Sequence, residues 1–106
     1  MRTPFDPQSH VPGFYAEPGG ARWIYSGALT FANASSVFEA AAATPLPTSG
    51  EVDLSGIVAV DSSAVAVLLA LSRRAREEGT PLVFTKIPAA LRALADLYSV
   101  EDLLAA

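Results

Sequence analysis

The fold is decided by residues 52–84, which read VDLSGIVAVDSSAVAVLLALSRRAREEGTPLVF. The β-branched run over residues 51–60 predicts a strand, with an interruption at Ser55-Gly56 because glycine weakens the interior of a strand. Residues 62–78 predict a long helix, and residues 81–85 predict a second, buried strand. A strand, a helix and a strand in this order predict two parallel strands joined by a right-handed crossover.

Two further strands and a helix are predicted on the N-terminal side. Residues 14–29 carry aromatic and β-branched side chains on both sides of a Pro-Gly-Gly turn, which is typical of two short paired strands. Residues 31–43 have apolar side chains at helical spacing, Phe31 among them, and Thr30 is the expected N-cap. The segment TPLPTSG then ends this helix with two prolines and a glycine.

A last amphipathic helix is predicted over residues 88–98, with Pro88 at its first helical position. We expect its buried stripe to contain Leu91, Leu94, Ala95 and Tyr98.

The predicted domain organisation is a flexible N-terminal arm over residues 1–13 and one domain over residues 14–106, in which Val100 to Leu104 pack back on the core. The element order predicts an α/β fold with a mixed, mostly parallel sheet of four to five strands and helices mainly on one face.

The composition narrows the function classes. A net charge of −4 argues against nucleic acid as the main ligand, because phosphate binding needs clustered Lys and Arg. The absence of cysteine excludes disulfides and cysteine-ligated zinc, and the single histidine, His10, lies on the predicted arm. No apolar run has the length of a membrane span or signal peptide, so the expected location is the cytoplasm, without direct membrane insertion. We expect no metal and no cofactor.

One face of the predicted long helix indicates a protein-binding surface. Asp61 is the expected N-cap and Gly79 the glycine that ends the helix. The outward face carries Ser62, Ser63, Ala66, Ala70, Arg73, Arg74 and Glu77, and the last helix leaves Ala89, Arg92, Ala93 and Asp96 outward. Small side chains let another polypeptide approach closely. The predicted partner-binding residues are Asp61, Ser62, Ser63, Ala66, Ala70, Arg73, Ala89 and Arg92. These residues are also consistent with a purely structural role, in which Asp61 is an ordinary N-cap and the alanines are present because they stabilise a helix.

The sequence resembles a known family at this point. VDLSGIVAVDSSAVAVLLAL is similar to the core of STAS domains, the anti-anti-sigma-like fold, and the resemblance runs from about residue 20 to residue 104. PLVFTKIPAALRALADLYSVEDLL is similar to the C-terminal part of MlaB-type proteins. The resemblance implies a cytoplasmic subunit of a phospholipid-transport ABC complex that maintains outer-membrane lipid asymmetry. Such a subunit is peripheral to the inner membrane and binds the ATPase, with Ser62 at the contact.

The main alternative is an anti-anti-sigma factor that is switched by phosphorylation of Ser62. Anti-anti-sigma factors usually carry a Gly-Leu-Gly-like run after the serines, whereas this chain has Ala64, Val65 and Ala66. An enzyme is not expected, because no structured histidine is available to Ser62 and a helix N-terminus lowers the pKa of Asp61. A nucleotide-binding module would need a Gly-rich phosphate loop. Without its partner, the apolar helix face could drive formation of a homodimer.

Overall fold

The computed structural model describes residues 11–98 and forms four strands and three helices within them. In chain order these are β1 (Gly13–Ala16), β2 (Arg22–Leu29), α1 (Ala34–Ala42), β3 (Glu51–Val60), α2 (Ser62–Glu77), β4 (Val83–Thr85) and α3 (Ala89–Leu97). The strand β1 begins within the predicted arm, at its last residue. The predicted packing of Val100 to Leu104 lies outside the described residues.

The sheet is mixed and mostly parallel, as predicted. Its strand order is β1-β2-β3-β4, with β1 antiparallel to β2 and both other pairs parallel. The helix α1 connects β2 to β3, and α2 connects β3 to β4, which are the two crossovers that parallel neighbours require. The predicted α/β class is confirmed.

The helices cover the sheet face that carries the core. Trp23, Val52 and Phe84 are paired across three strands, and all three are almost fully buried against helix residues such as Leu68 and Leu71. The packing is extended by Phe14 of β1, whose ring lies 5.5 Å from that of Trp23 and 4.7 Å from that of Tyr25. The next residues along each strand, Ile24, Asp53 and Thr85, pair on the opposite face because side chains alternate along a strand.

The predicted interruption of β3 is present as a shift in the strand register. The pairing with β2 advances by two residues from Ile24 to Ser26 but by three from Asp53 to Gly56. A Cβ atom on Gly56 would lie 2.3 Å from the carbonyl oxygen of Tyr25. Glycine is therefore required here by the close approach of the neighbouring strand.

The opposite sheet face carries a network of ion pairs. Arg22 donates two hydrogen bonds of 2.7 and 2.8 Å to the carboxylate of Glu17. Its Nη1 lies 3.5 Å from Oε2 of Glu51 and 3.5 Å from Oδ2 of Asp53. The hydrogen bond from Arg22 lowers the pKa of Glu17. Burial acts to raise the pKa of Asp53, but hydrogen bonds from Ser55 and the charge of Lys86 outweigh it, so the pKa lies below its ordinary value. These contacts join the turn before β2 to β2, β3 and the end of β4.

Four details at the ends of the predicted helices are wrong. The N-cap of α1 is Asn33 rather than Thr30, because residues 31–33 form a turn that precedes the helix. Phe31 therefore lies outside the apolar face of α1 and is 85% exposed. Pro88 is the N-cap of α3 rather than its first helical residue, a difference of one position. Tyr98 follows α3 and is half-exposed instead of belonging to the buried stripe.

Candidate functional site

Asp61 organises the start of α2, as the sequence predicted. Its Oδ1 accepts the backbone N–H of Ser63 at 2.8 Å, which is the expected N-cap bond. Its Oδ2 accepts the backbone N–H of Phe31 at 2.9 Å, a contact across 30 residues that the sequence did not reveal. One carboxylate therefore fixes both the first turn of α2 and the turn that leads into α1.

The pKa of Asp61 lies below its ordinary value. The largest cause is the hydrogen bond from the backbone of Phe31. Burial, the next largest influence, acts to raise the pKa, and the bonds from the backbone and hydroxyl of Ser63 lower it further. The side chain is therefore ionised at neutral pH, with each oxygen already holding a backbone donor. This arrangement suits a positioning role and not the removal of a proton from a substrate.

The two serines after Asp61 differ in accessibility. The side chain of Ser62 is exposed, whereas Ser63 is half-buried. Because Ser62 is the first residue of α2, its hydroxyl stands at the positive end of the helix dipole. A partner or a modifying enzyme can reach Ser62 directly.

Two shallow grooves lie on either side of Ala66. One separates α1 from α2 and encloses about 270 Å³, and the other separates α2 from the end of α3 and encloses about 310 Å³. Ala66 lines both grooves and is exposed, so it forms a low ridge between them. The first groove is lined by Ala34, Ser35, Phe38, Ser63, Ala66, Val67 and Ala70. The second is lined by Ser62, Val65, Ala66, Leu69 and Tyr98.

The grooves bring together four of the predicted partner-binding residues, namely Ser62, Ser63, Ala66 and Ala70. Asp61 stands at their common end as the N-cap of α2. The other three residues, Arg73, Ala89 and Arg92, are exposed but line neither groove. Their part in a partner-binding surface stays a prediction.

A family model described as "Mlab, STAS domain" matches residues 25–105, which is most of the chain. The chain belongs to the MlaB-type STAS domain family. No curated protein matches it. STAS domain proteins are generally non-catalytic, and membership of this family suggests the role of an MlaB-type protein or of an anti-anti-sigma factor.

Sequence reasoning missed part of the surface of this STAS domain. Ala34 and Phe38 belong to the apolar face that was predicted for the helix over residues 31–43, and they also form the wall of the first groove. Tyr98 was predicted to be buried, yet it lines the second groove. The exposure of Phe31 was missed as well, because the bond that holds its backbone joins it to Asp61, 30 residues away along the chain.

Arg74 serves the STAS fold itself and is not an outward-facing residue. Its Nη1 donates to the carbonyl oxygen of Ala41 at 2.8 Å and its Nη2 to that of Thr44 at 3.1 Å. Its Nε pairs with Glu78 one helical turn further along α2. The prediction that Arg74 faces outward is wrong, because the carbonyl groups at the end of α1 attract the guanidinium.

Two kinds of feature are absent from residues 11–98, a cluster of possible metal ligands and a membrane-spanning helix. Over that range, no group of three or more histidine, cysteine, aspartate or glutamate side chains is arranged to hold a metal ion. In the same part of the STAS domain, no helix is both long and apolar enough to cross a membrane.

Proposed function

We propose that this chain is a non-catalytic accessory subunit that binds the ATPase of a lipid-transport ABC complex and supports its assembly and activity. It would act in the cytoplasm, at the inner membrane, through that complex. The observation that carries the proposal is the exposed ridge of Ala66 between two apolar grooves at the mouth of α2. Membership of the MlaB-type family directs the choice of partner.

The shape of this surface suits a helix or loop of another protein. Both grooves expose more apolar than polar surface, and the residue between them is an alanine. Side chains of a partner can therefore enter both grooves while its backbone lies close to α2, as in the docking of an amphipathic helix in a groove. A charged residue at the ridge would block this approach.

Binding to the ATPase can be measured with purified proteins. The probe is the ABC ATPase encoded by the same organism in a lipid-transport complex, and the assay is biolayer interferometry with the full chain immobilised. Ala66→Glu should weaken binding at least about 10-fold, because it places an unpaired charge in a desolvated contact. Ala70→Glu, in the first groove, should act in the same direction.

A matched control is available on α1. Ala40 is an exposed helical alanine that lines neither groove, so Ala40→Glu should leave binding unchanged. All three variants should keep the melting temperature of the wild type within a few degrees, because surface substitutions have small effects. If the wild-type chain does not bind the ATPase, the proposed function is wrong. If Ala66→Glu binds as well as wild type, the surface lies elsewhere.

A second candidate, the anti-anti-sigma switch, is favoured by the exposure of Ser62 at the start of α2. A phosphate there would add roughly −1.5 to −2 charges beside the grooves and could block docking. The test is incubation with a cognate anti-sigma kinase and ATP, followed by mass spectrometry of the intact chain and its peptides. Phosphate on Ser62, lost in Ser62→Ala, would favour the switch over the transporter role.

A further inference from the structure

The second groove lies at the point where the described part of the chain ends. Tyr98 is the last described residue, and it lines this groove together with Ser62, Val65, Ala66 and Leu69. The backbone N–H of Tyr98 donates to the carbonyl oxygen of Leu94 at 3.1 Å, so the last turn of α3 holds Tyr98 in place. The segment after α3, residues 99–106, therefore begins at the wall of the groove.

The second groove suits an apolar occupant. Val65 and Leu69 present aliphatic side chains to it, and Ala66 adds a methyl group at the ridge. Its volume is about 310 Å³, whereas a protein cavity of about 150 Å³ holds a benzene molecule. The groove therefore has room for two leucine side chains, and filling it would remove apolar surface from water.

The segment after α3 carries apolar side chains in a pattern that fits this groove. Residues 99–106 read SVEDLLAA. Val100, Leu103 and Leu104 have the i, i+3, i+4 spacing that brings side chains to one side of a helical turn. The two acidic residues at 101–102 fall on the other side of such a turn. One side is thus apolar and the other charged, so a single orientation suits an apolar groove.

The segment also has the length that the groove requires. On α2 the groove extends from Ser62 to Leu69, which is about 10 Å at 1.5 Å per residue. Leu104 is six residues beyond Tyr98, which spans about 9 Å as a helix and at most about 20 Å when extended. The family match continues past Tyr98 to residue 105, so the segment belongs to the STAS domain itself.

We propose that Val100, Leu103 and Leu104 occupy the second groove in the free chain, and that they must leave it before the ATPase can enter. The segment is then an autoinhibitory cover on one side of the Ala66 ridge. The occupation of the groove is independent of the proposed function, whereas the competition with the ATPase rests on it. A second copy of the chain is the less suitable occupant, because a segment attached at Tyr98 has a far higher effective concentration at the groove.

The chain contains no cysteine, so occupation of the groove can be measured on a single introduced thiol and without the ATPase. Leu69→Cys places that thiol in the second groove, and Ala70→Cys places it in the first. Maleimide labelling is timed in each background with the segment intact and with Leu103→Ala and Leu104→Ala combined. Removal of the leucines should speed labelling of Leu69→Cys at least about 10-fold and change that of Ala70→Cys less than about twofold.

A matched control lies within the same segment. Glu101→Ala combined with Asp102→Ala also replaces two adjacent residues by alanine, but it leaves the apolar side chains in place. This pair should not change the labelling rate of Leu69→Cys. Faster labelling with this pair as well would mean that the apolar side chains are not what covers the groove, and the inference would be wrong.

Three labelling results would overturn the inference. An unchanged rate at Leu69→Cys after removal of the leucines would show that the segment does not occupy the second groove. An equal rise at Ala70→Cys would show that the segment supports the whole domain instead of covering one groove. Protection of Leu69→Cys that is lost on dilution of the protein would assign the groove to a second copy.

The competition is tested with the same ATPase and the same interferometry. Combined Leu103→Ala and Leu104→Ala should lower Kd, by at most the factor by which labelling becomes faster, because the covered fraction of the chains does not bind. An unchanged or higher Kd beside faster labelling would refute the autoinhibitory role. Failure of the wild-type chain and of this variant to bind the ATPase would refute the proposed function and leave the labelling result as it is.

Discussion

Replacing Arg74 with methionine should lower the free energy of unfolding by about 2 kcal/mol. The guanidinium makes two hydrogen bonds to backbone carbonyls at the end of α1, and a bond with a charged partner contributes about 1.5–3 kcal/mol in the net. The expected loss is about half of the sum of the two bonds, because the side chain is 22% exposed and water can replace part of what is lost. The exposed pair with Glu78 adds little. Methionine keeps the apolar part of the side chain in place.

Urea denaturation followed by tryptophan fluorescence is the appropriate measurement. Trp23 is the only tryptophan, it is 1% exposed, and its indole N–H donates to the carbonyl oxygen of Pro45 in the segment after α1. The fluorescence therefore reports on the part of the core that α1 covers. In a thermal scan the same change should lower the melting temperature by about 8–16 °C.

The neighbouring arginine supplies the control. Arg73 is exposed and forms no ion pair within residues 11–98, so Arg73→Met should change the free energy of unfolding by no more than about 0.5 kcal/mol. The loss of unfolding free energy is thus predicted to be at least about fourfold larger for Arg74→Met than for Arg73→Met, although the two arginines are adjacent on one helix. If both variants unfold at the same urea concentration, the hydrogen bonds from Arg74 to the end of α1 do not stabilise the fold, and the prediction is wrong.

Three further predictions concern the sheet. Gly56→Ala should cost more than about 2 kcal/mol, since its new Cβ would lie 2.3 Å from the carbonyl oxygen of Tyr25; a normal urea midpoint would refute the close approach. Tyr25→Phe should cost about 1 kcal/mol by removing the 2.6 Å hydrogen bond from the hydroxyl to Ala28, and an unchanged midpoint would mean that this bond contributes nothing. The pKa of Asp53 is lowered in the folded chain, so its contribution to stability is present above the unfolded pKa of 3.8 and is lost as the pH falls below it. Melting temperatures between pH 2 and pH 5 should therefore fall less steeply with acid in Asp53→Asn than in wild type, and equal slopes would contradict the assignment.

Much of the fold could be predicted because its signals are local. A β-branched run forms a strand, an aspartate before an apolar helix caps it, and a glycine after the helix can adopt the left-handed conformation that ends it, as Gly79 does with φ of 76°. The same local signals placed Ser62 and Ala66 on the outer side of α2 and Ala89 and Arg92 on that of α3, where the structure has them. Helical periodicity settles which side of a single helix is buried.

The sequence by itself therefore determined the element order, the parallel crossovers and the exposed side of α2, since each depends on residues that are close together along the chain. Only the tertiary structure decided that Phe31 points to solvent and that Arg74 points inward. Phe31 depends on a carboxylate 30 residues away, and Arg74 on carbonyl groups 30 and 33 residues away. Hydrogen bonds between distant segments have no periodicity for a sequence pattern to reveal. They form only once the packing of the helices on the sheet has brought donor and acceptor within about 3 Å.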